Sequence, residues 1–480
     1  VTGVRERSCV AAAAVAALVV LGVGCGGSGS KAPASQGTGG SDAAGDGGGS
    51  GGAAGATAAS GGAKAPESGG DGGASGSDDS GVAANGADSG AAGEDAGTVE
   101  VPDLSPEIYD PERVPLFEIE LSDDAAAALD ADPDTYVHGT LRYGDEELAD
   151  VGVRIKGEGS KRKLTEKAAF KLKFDAFVDD QTFHGLRRMT LNNMVEDPSF
   201  IAERLAFAVF RAAGLPAPRC NSARVRVNGD DFGVYANVES EDKTFLRRWF
   251  DDEDGNLYEE AQVDFFLGNE DQFELETNES KNDRSDLVAL IAAIDASDRN
   301  EGDTFMADVG SELDLAHFLR FSAAEAAVNQ WDMYAYTLFY PNNFRIYRDP
   351  SQDRFVFLPW GMDMSMKPFR DTGRAYIHVF ELAHAGDHSD QAVSAGVIFR
   401  GCFESAPCKA SYADAVAEVA DAYDDLDVPA LAARYYEQVK PFVYDDPRKE
   451  YTNDEFEDAY ESLLTTVQGR TDALRADLQD

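Results

Sequence analysis

The chain has 480 residues, with 42 Lys+Arg against 88 Asp+Glu and a formal net charge of −46. Such a charge repels a phosphate backbone and argues against nucleic acid as a partner. Composition shifts sharply near residue 100, and the remaining part of about 380 residues, carrying nearly all the aromatic residues, is large enough to bury a sizeable core.

Arg5 and Arg7 precede an apolar stretch from Val10 to Val23, too short to span a bilayer at ~20 residues but suited to the core of an export signal. The stretch runs into Leu-Gly-Val-Gly-Cys at 21–25, a lipoprotein-type processing site that predicts lipid attachment at Cys25, with ordinary cleavage or an uncleaved anchor as the alternatives. Residues 26–100 are almost entirely Gly, Ala, Ser and Asp, with no aromatic residue, and cannot bury enough surface to offset chain entropy. They read as a disordered tether with a mean reach of roughly 45–50 Å. The expected organisation is a signal over 1–25, a linker over 26–100 and a folded part over 101–480, placed outside the cytoplasm and held to the envelope by lipid alone. In an oxidising compartment Cys402 and Cys408 can close a small loop, leaving Cys220 as a buried free thiol.

Alternating apolar residues predict strands over 116–121, 136–143, 150–156, 169–174, 188–191, 224–227 and 234–238, the last two joined by a hairpin at Asn228-Gly229. One helix interrupts them, with Ile201, Leu205, Ala208, Val209 and Ala212 on a stripe between Asp197-Pro198 and Gly214-Leu-Pro. After residue 240, helical spacing dominates over 287–294, 313–328, 412–423, 431–439 and 456–474, with one strand pair at 343–347 and 354–358. The expected class is α+β, with a β-rich lobe over about 110–240 and a mostly helical lobe over about 241–480. Nucleotide would sit between them, as in a protein-kinase-like fold.

Phosphoryl transfer requires a glycine-containing turn, a strand cation paired with a carboxylate, a carboxylate near the acceptor hydroxyl, and oxygen ligands for a metal. Gly157, Gly159 and Ser160 supply the turn, where backbone N–H groups can face phosphate oxygens. Lys167 and Lys171 are the candidate cations, because positive charge in this acidic chain concentrates from Arg154 to Lys173, and Glu203 is the candidate carboxylate partner. Asp332 at a helix end, Asn343 opening the strand pair and Asp363 after its second strand would converge as a catalytic base and two metal ligands. His384 and His388 lie four apart but lack the Glu of a zincin.

Four segments, Gly233-Val-Tyr-Ala-Asn-Val-Glu-Ser-Glu-Asp-Lys-Thr-Phe-Leu246, Gly255-Asn-Leu-Tyr258, Asn343-Phe-Arg-Ile-Tyr-Arg348 and Phe357-Leu-Pro-Trp-Gly-Met-Asp363, resemble motifs of the CotH kinase family, the spore-coat protein H-like proteins. The resemblance spans about residues 110–365. It implies an atypical protein kinase using ATP and Mg²⁺ or Mn²⁺ to phosphorylate Ser or Thr of secreted or cell-surface proteins. It further implies Asp332 as catalytic carboxylate, Asp363 as metal ligand, and Glu239 and Asp242 near the adenine or ribose. The sequence departs from the family at Pro359-Trp-Gly361-Met-Asp363, where the family has an acid in place of Gly361, and the step from Asp332 to Asn343 exceeds the five residues of ordinary kinases. A non-catalytic surface scaffold or adhesion lipoprotein is therefore the alternative reading.

Overall fold

The computed structural model describes residues 103–479 apart from 261, 299–301, 338–339, 369–374 and 383–394. The signal, Cys25, the tether and the His384/His388 pair lie outside the described residues.

The first lobe is a barrel. It comprises β1 (Leu116–Leu121), β2 (Val137–Tyr143), β3 (Glu146–Lys156), β4 (Ala169–Lys173), β5 (Arg188–Asn192), β6 (Cys220–Val227) and β7 (Asp230–Glu239), with helix α1 (Asp123–Ala131) after β1 and helix α2 (Ala202–Ala212) after β5. The strand order is β1-β2-β3-β4-β5-β7-β6, and parallel pairing of β1 with β6 closes it. Alternation decides what each strand presents. Val151, Val153 and Ile155 of β3 and Phe170 and Leu172 of β4 fill the interior, so Lys156, Lys171 and Lys173 belong to the outer face. Asn228 and Gly229 both take positive φ, 52° and 84°, the backbone of a tight hairpin turn.

Helix α2 is almost wholly buried, and its apolar residues join the core of the second lobe rather than the barrel interior. Buried Asp197 anchors the approach to its first turn, accepting from Ala202 N at 2.8 Å and from Ser199 N at 2.9 Å. Gly214, at φ 75°, ends it, and Leu215 N returns to Phe210 O at 3.0 Å.

The second lobe begins with α3 (Lys243–Trp249), then β8 (Leu257–Glu259), β9 (Glu274–Leu275), α4 (Ser285–Ala296), α5 (Phe305–Val309) and α6 (Leu315–Ala327). The strand pair β10 (Phe344–Asp349) and β11 (Arg354–Pro359) follows, then α7 (Val397–Glu404), α8 (Ala406–Asp425), α9 (Val428–Asp445) and α10 (Asn453–Asp477). The pair expected from sequence is half of a larger sheet of order β11-β10-β8-β9, in which Arg345 lies opposite Glu259. Cys402 and Cys408 form a disulfide, and Cys220 is free and buried. Among the described residues, no helix is long and apolar enough to cross a membrane.

Candidate active site

The lysine that meets Glu203 is Lys156, at the end of β3. Its Nζ donates to Asn192 Oδ1 at 2.5 Å, and Asn192 Nδ2 donates to both Glu203 oxygens at 2.9 and 2.8 Å. Strand β3 thus reaches α2 through an amide on β5. Burial depresses the Lys156 pKa, while Glu203 and then Asp363 oppose the shift. Burial, with Asp363 next, pushes Glu203 up to about 8.

Asp332 does not end a helix: α6 stops at Ala327, and Asp332 lies in the loop that follows. That loop is curled by Glu325 of α6, whose carboxylate accepts from Ala335 N at 3.0 Å and Tyr336 N at 2.6 Å. Asn342 N returns to Met333 O at 3.1 Å. The long interval therefore doubles back and delivers Asn343 to Asp332. Asn343 Nδ2 donates to Asp332 O at 2.7 Å and to Asp332 Oδ2 at 3.0 Å, and Glu260 Oε1 accepts from Asn343 N at 2.8 Å. Asp363 sits in a 3₁₀ turn, Met362–Met364, packed on α2.

Glu196, between β5 and α2, bridges these groups electrostatically. Its pKa is raised by burial first, then by Asp363, with Asp332 contributing. Gly159 lies over it: a Cβ there would come within 2.8 Å of Glu196 Oε1. Gly157, at φ 99°, would bring a Cβ within 2.5 Å of Ser160 Oγ, so both glycines answer to space in a turn already closed by Asn193 Nδ2 on Ser160 O at 2.9 Å.

Lys171 lies on the same barrel face and is pushed down to about 8 by burial and by the charge of Arg345. Arg345 holds Glu241 at 3.0 Å and Glu259 at 2.8 Å and lies 4.5 Å from the centre of the Trp360 ring, while Lys156 lies 5.4 Å from it. Trp360 therefore touches a cation from each lobe.

Three sequence candidates stand outside this constellation. Lys167 is fully buried against Asp446 at 2.5 Å and lies over the Phe200 and Tyr235 rings. Glu239 is consumed by Arg219 at 2.7 Å and by Arg248. Asp242 caps α3, accepting from Thr244 N at 2.8 Å. The acid of that segment that faces the lobe junction is Glu241, pushed up to about 8 by burial.

The family profile described as CotH kinase protein matches residues 153–474. The chain belongs to the CotH kinase protein family. A relative, Inner spore coat protein H of Bacillus subtilis (strain 168), is 23% identical over 321 residues, covering 62% of this chain and 81% of that protein. Inner spore coat protein H-like protein of the same organism is 30% identical over 81 residues, covering 17% of this chain and 25% of its own length. Among solved structures, the Helicobacter pylori proinflammatory kinase CtkA aligns at TM-score 0.31 and 10% identity over 68% of this chain and 96% of that one. The Shewanella oneidensis MR-1 complex of HipA, HipB and operator DNA aligns at TM-score 0.30 and 11% identity over 75% and 74%. Membership rests on the sequence match, and the two-lobe α+β architecture on the strand order and packing above.

In this CotH family member, Gly361 takes left-handed φ, 58°, and a Cβ there would lie 2.2 Å from Asn343 Oδ1. A side chain at 361 therefore lacks space as well as backbone freedom: the Asn343 amide fills the position it would need. Carboxylate and amide oxygens, without thiol or imidazole, are the donors that hard divalent cations take. Among the described residues no group of three His, Cys, Asp or Glu side chains is set to hold an ion. A metal held here would draw on Asp363, Asn343 and the phosphate oxygens of a nucleotide.

Lys156, Asn192, Glu196 and Glu241 escaped the sequence reading. The signal for Lys156 was present in the β3 alternation, which puts it on the outer face beside Gly157. Asn192 follows by the same parity from Arg188 and Thr190.

The buried acids give a pH prediction. Glu203 and Glu241 at about 8 and Glu260 at about 7 have folded pKa values above their unfolded ones. The folded chain then binds more protons than the unfolded chain, so stability falls as pH rises from about 5 to about 8. Melting temperature should decline across that window, and Glu203→Gln should flatten part of the decline. A flat or rising profile would contradict burial as the dominant influence on these acids.

Proposed function

We propose that this chain is an extracytoplasmic protein kinase that transfers the ATP γ-phosphate to Ser or Thr of secreted or cell-surface proteins with Mg²⁺ or Mn²⁺. The observation that carries the reading is the hydrogen-bonded pairing of Asp332 with Asn343 beside the Asp363 loop, facing the Lys156–Asn192–Glu203 chain across the lobe junction. ATP supplies the phosphoryl group, and the divalent cation, when bound, neutralises charge developing on the phosphates.

In this reading Asp332 orients the acceptor hydroxyl and takes its proton, with Asn342 and Asn343 fixing the carboxylate at Oδ2. Lys156 and Lys171 offer positive charge to the phosphates, Asn192 and Glu203 holding Lys156 in place. Gly157, Gly159 and Ser160 present backbone N–H groups, Asn343 and Asp363 would hold the metal when it is bound, and Trp360 closes the junction between the lobes.

The Cys402–Cys408 disulfide supports an oxidising location, as does the spore-coat name of the relatives. Lipid attachment at Cys25 would tether the domain to the envelope, and the mass of the mature N-terminal peptide decides it: a diacylglycerol-modified Cys25 is expected, and an unmodified peptide would rule it out.

Gly361 and the lack of a three-acid group among the described residues favour a second reading, a binding-only surface scaffold or adhesion protein. Metal-dependent transfer of γ-phosphate by the purified chain separates the two. Labelling that depends on Asp332 supports the kinase, and no labelling by folded protein with either metal supports the scaffold.

A further inference from the structure

The connection from α9 to α10, residues 446–451, crosses from the helical lobe onto the barrel and grips the glycine turn and its flank. Asp446, fully buried, accepts from Lys167 Nζ at 2.5 Å and Val234 N at 2.9 Å. Gly233, at φ 86°, makes room, since a Cβ there would lie 1.9 Å from Asp446 Cγ. Arg448 donates to Leu164 O at 2.7 Å and Glu166 O at 2.5 Å, its guanidinium 3.6 Å from the Phe232 ring centre. Glu450 takes both arms of Arg162 at 2.5 and 3.0 Å, and Arg162 in turn donates to Gly159 O at 3.2 Å. Tyr451 donates to Val195 O, the carbonyl just before Glu196.

We infer that residues 446–451 are a strap that positions the glycine turn, so that the phosphate-facing wall of the barrel is set by the helical lobe rather than by the barrel alone. The contacts reach the turn at Gly159 through Arg162, the flank directly at Leu164, Glu166 and Lys167, and the neighbouring segment at Val195, all anchored on one six-residue stretch. A turn held at so many points is fixed before ligand arrives, which lowers the ordering cost of binding. Glu450 is the adjustable member. It is half-exposed and its pair is bidentate, so its loss should free the turn without unfolding the chain. The role in ligand binding rests on the nucleotide reading above; the role in ordering the turn does not.

The test is hydrogen exchange on the full chain and on Glu450→Gln, with titration of Mg²⁺–ADP against both. Amides of 157–163 should exchange about tenfold faster in the variant while those of α6 and α8 stay unchanged, and affinity for Mg²⁺–ADP should weaken by about the same factor. Unchanged exchange at 157–163 overturns the strap. Faster exchange with unchanged ADP affinity overturns its role in positioning. A wild-type chain that binds no ADP sinks the nucleotide reading, and the exchange rates alone then judge the strap. A second variant, Arg448→Ala, should loosen 164–167 by the same measure.

Discussion

Asp332→Asn is expected to lower γ-phosphate transfer by about 10²–10⁴-fold, the range over which a positioned general base contributes. The fold should survive, because Asn keeps the outline of the side chain and an oxygen able to accept from Asn342 and Asn343. A lost hydrogen bond would cost only about 1 kcal/mol. Asp363→Asn should produce a loss of similar size by a different route: with one metal ligand weakened, transfer should recover in part as Mn²⁺ is raised, whereas Asp332→Asn should not respond. Circular dichroism and melting temperature check that both variants are folded. Retained labelling in Asp332→Asn rejects its assignment as the base.

The second large effect separates two lysines. Lys156→Met should weaken nucleotide binding about tenfold to hundredfold, the loss of one charge-assisted phosphate contact, at small cost to stability. The cost is small because Lys156 is half-buried and reaches Glu203 only through Asn192, and because Glu203, already pushed up to about 8 by burial and by Asp363, can stay neutral. Lys167→Met should do the opposite. It leaves Asp446 buried beside Val234 N without its cation, and breaking such a pair costs about 3–5 kcal/mol. Fluorescent-nucleotide titration alongside chemical denaturation reads both quantities. Weak binding and intact stability on removing Lys167, with no binding change on removing Lys156, would reverse the assignment.

Periodicity carried most of the barrel into view. The apolar alternation of β3 and β4, the Asn228-Gly229 turn and the punctuation of α2 by Asp197-Pro198 and Gly214 are local patterns, and each element formed where the pattern lay. Short elements without a full period, α3, β8 and β9, were invisible for the same reason. The site was read less completely, because its charges are sorted by distant partners. Glu239 looks as available as Glu241 until Arg219 and Arg248 are folded against it. Lys167 looks like a cleft lysine until Asp446, 279 positions later, arrives beside it. Asp332, Asn343 and Asp363 stand out in the sequence because they flank a recognisable strand pair, whereas Lys156 stands beside the glycines that draw attention to the turn.

The closeness of Gly361 to the Asn343 side chain bears on which substitutions the site accepts. An aspartate at 361 would be strained by the left-handed φ of 58°, though less than most residues. It would also meet the neighbour's amide oxygen, 2.2 Å from where the new Cβ would stand, and push that side chain aside. An acid at 361 would therefore displace the Asn343 side chain that ties Asp332 in place. Position 361 is thus coupled to position 343, and a change at the first bears on how Asp332 is held by the second.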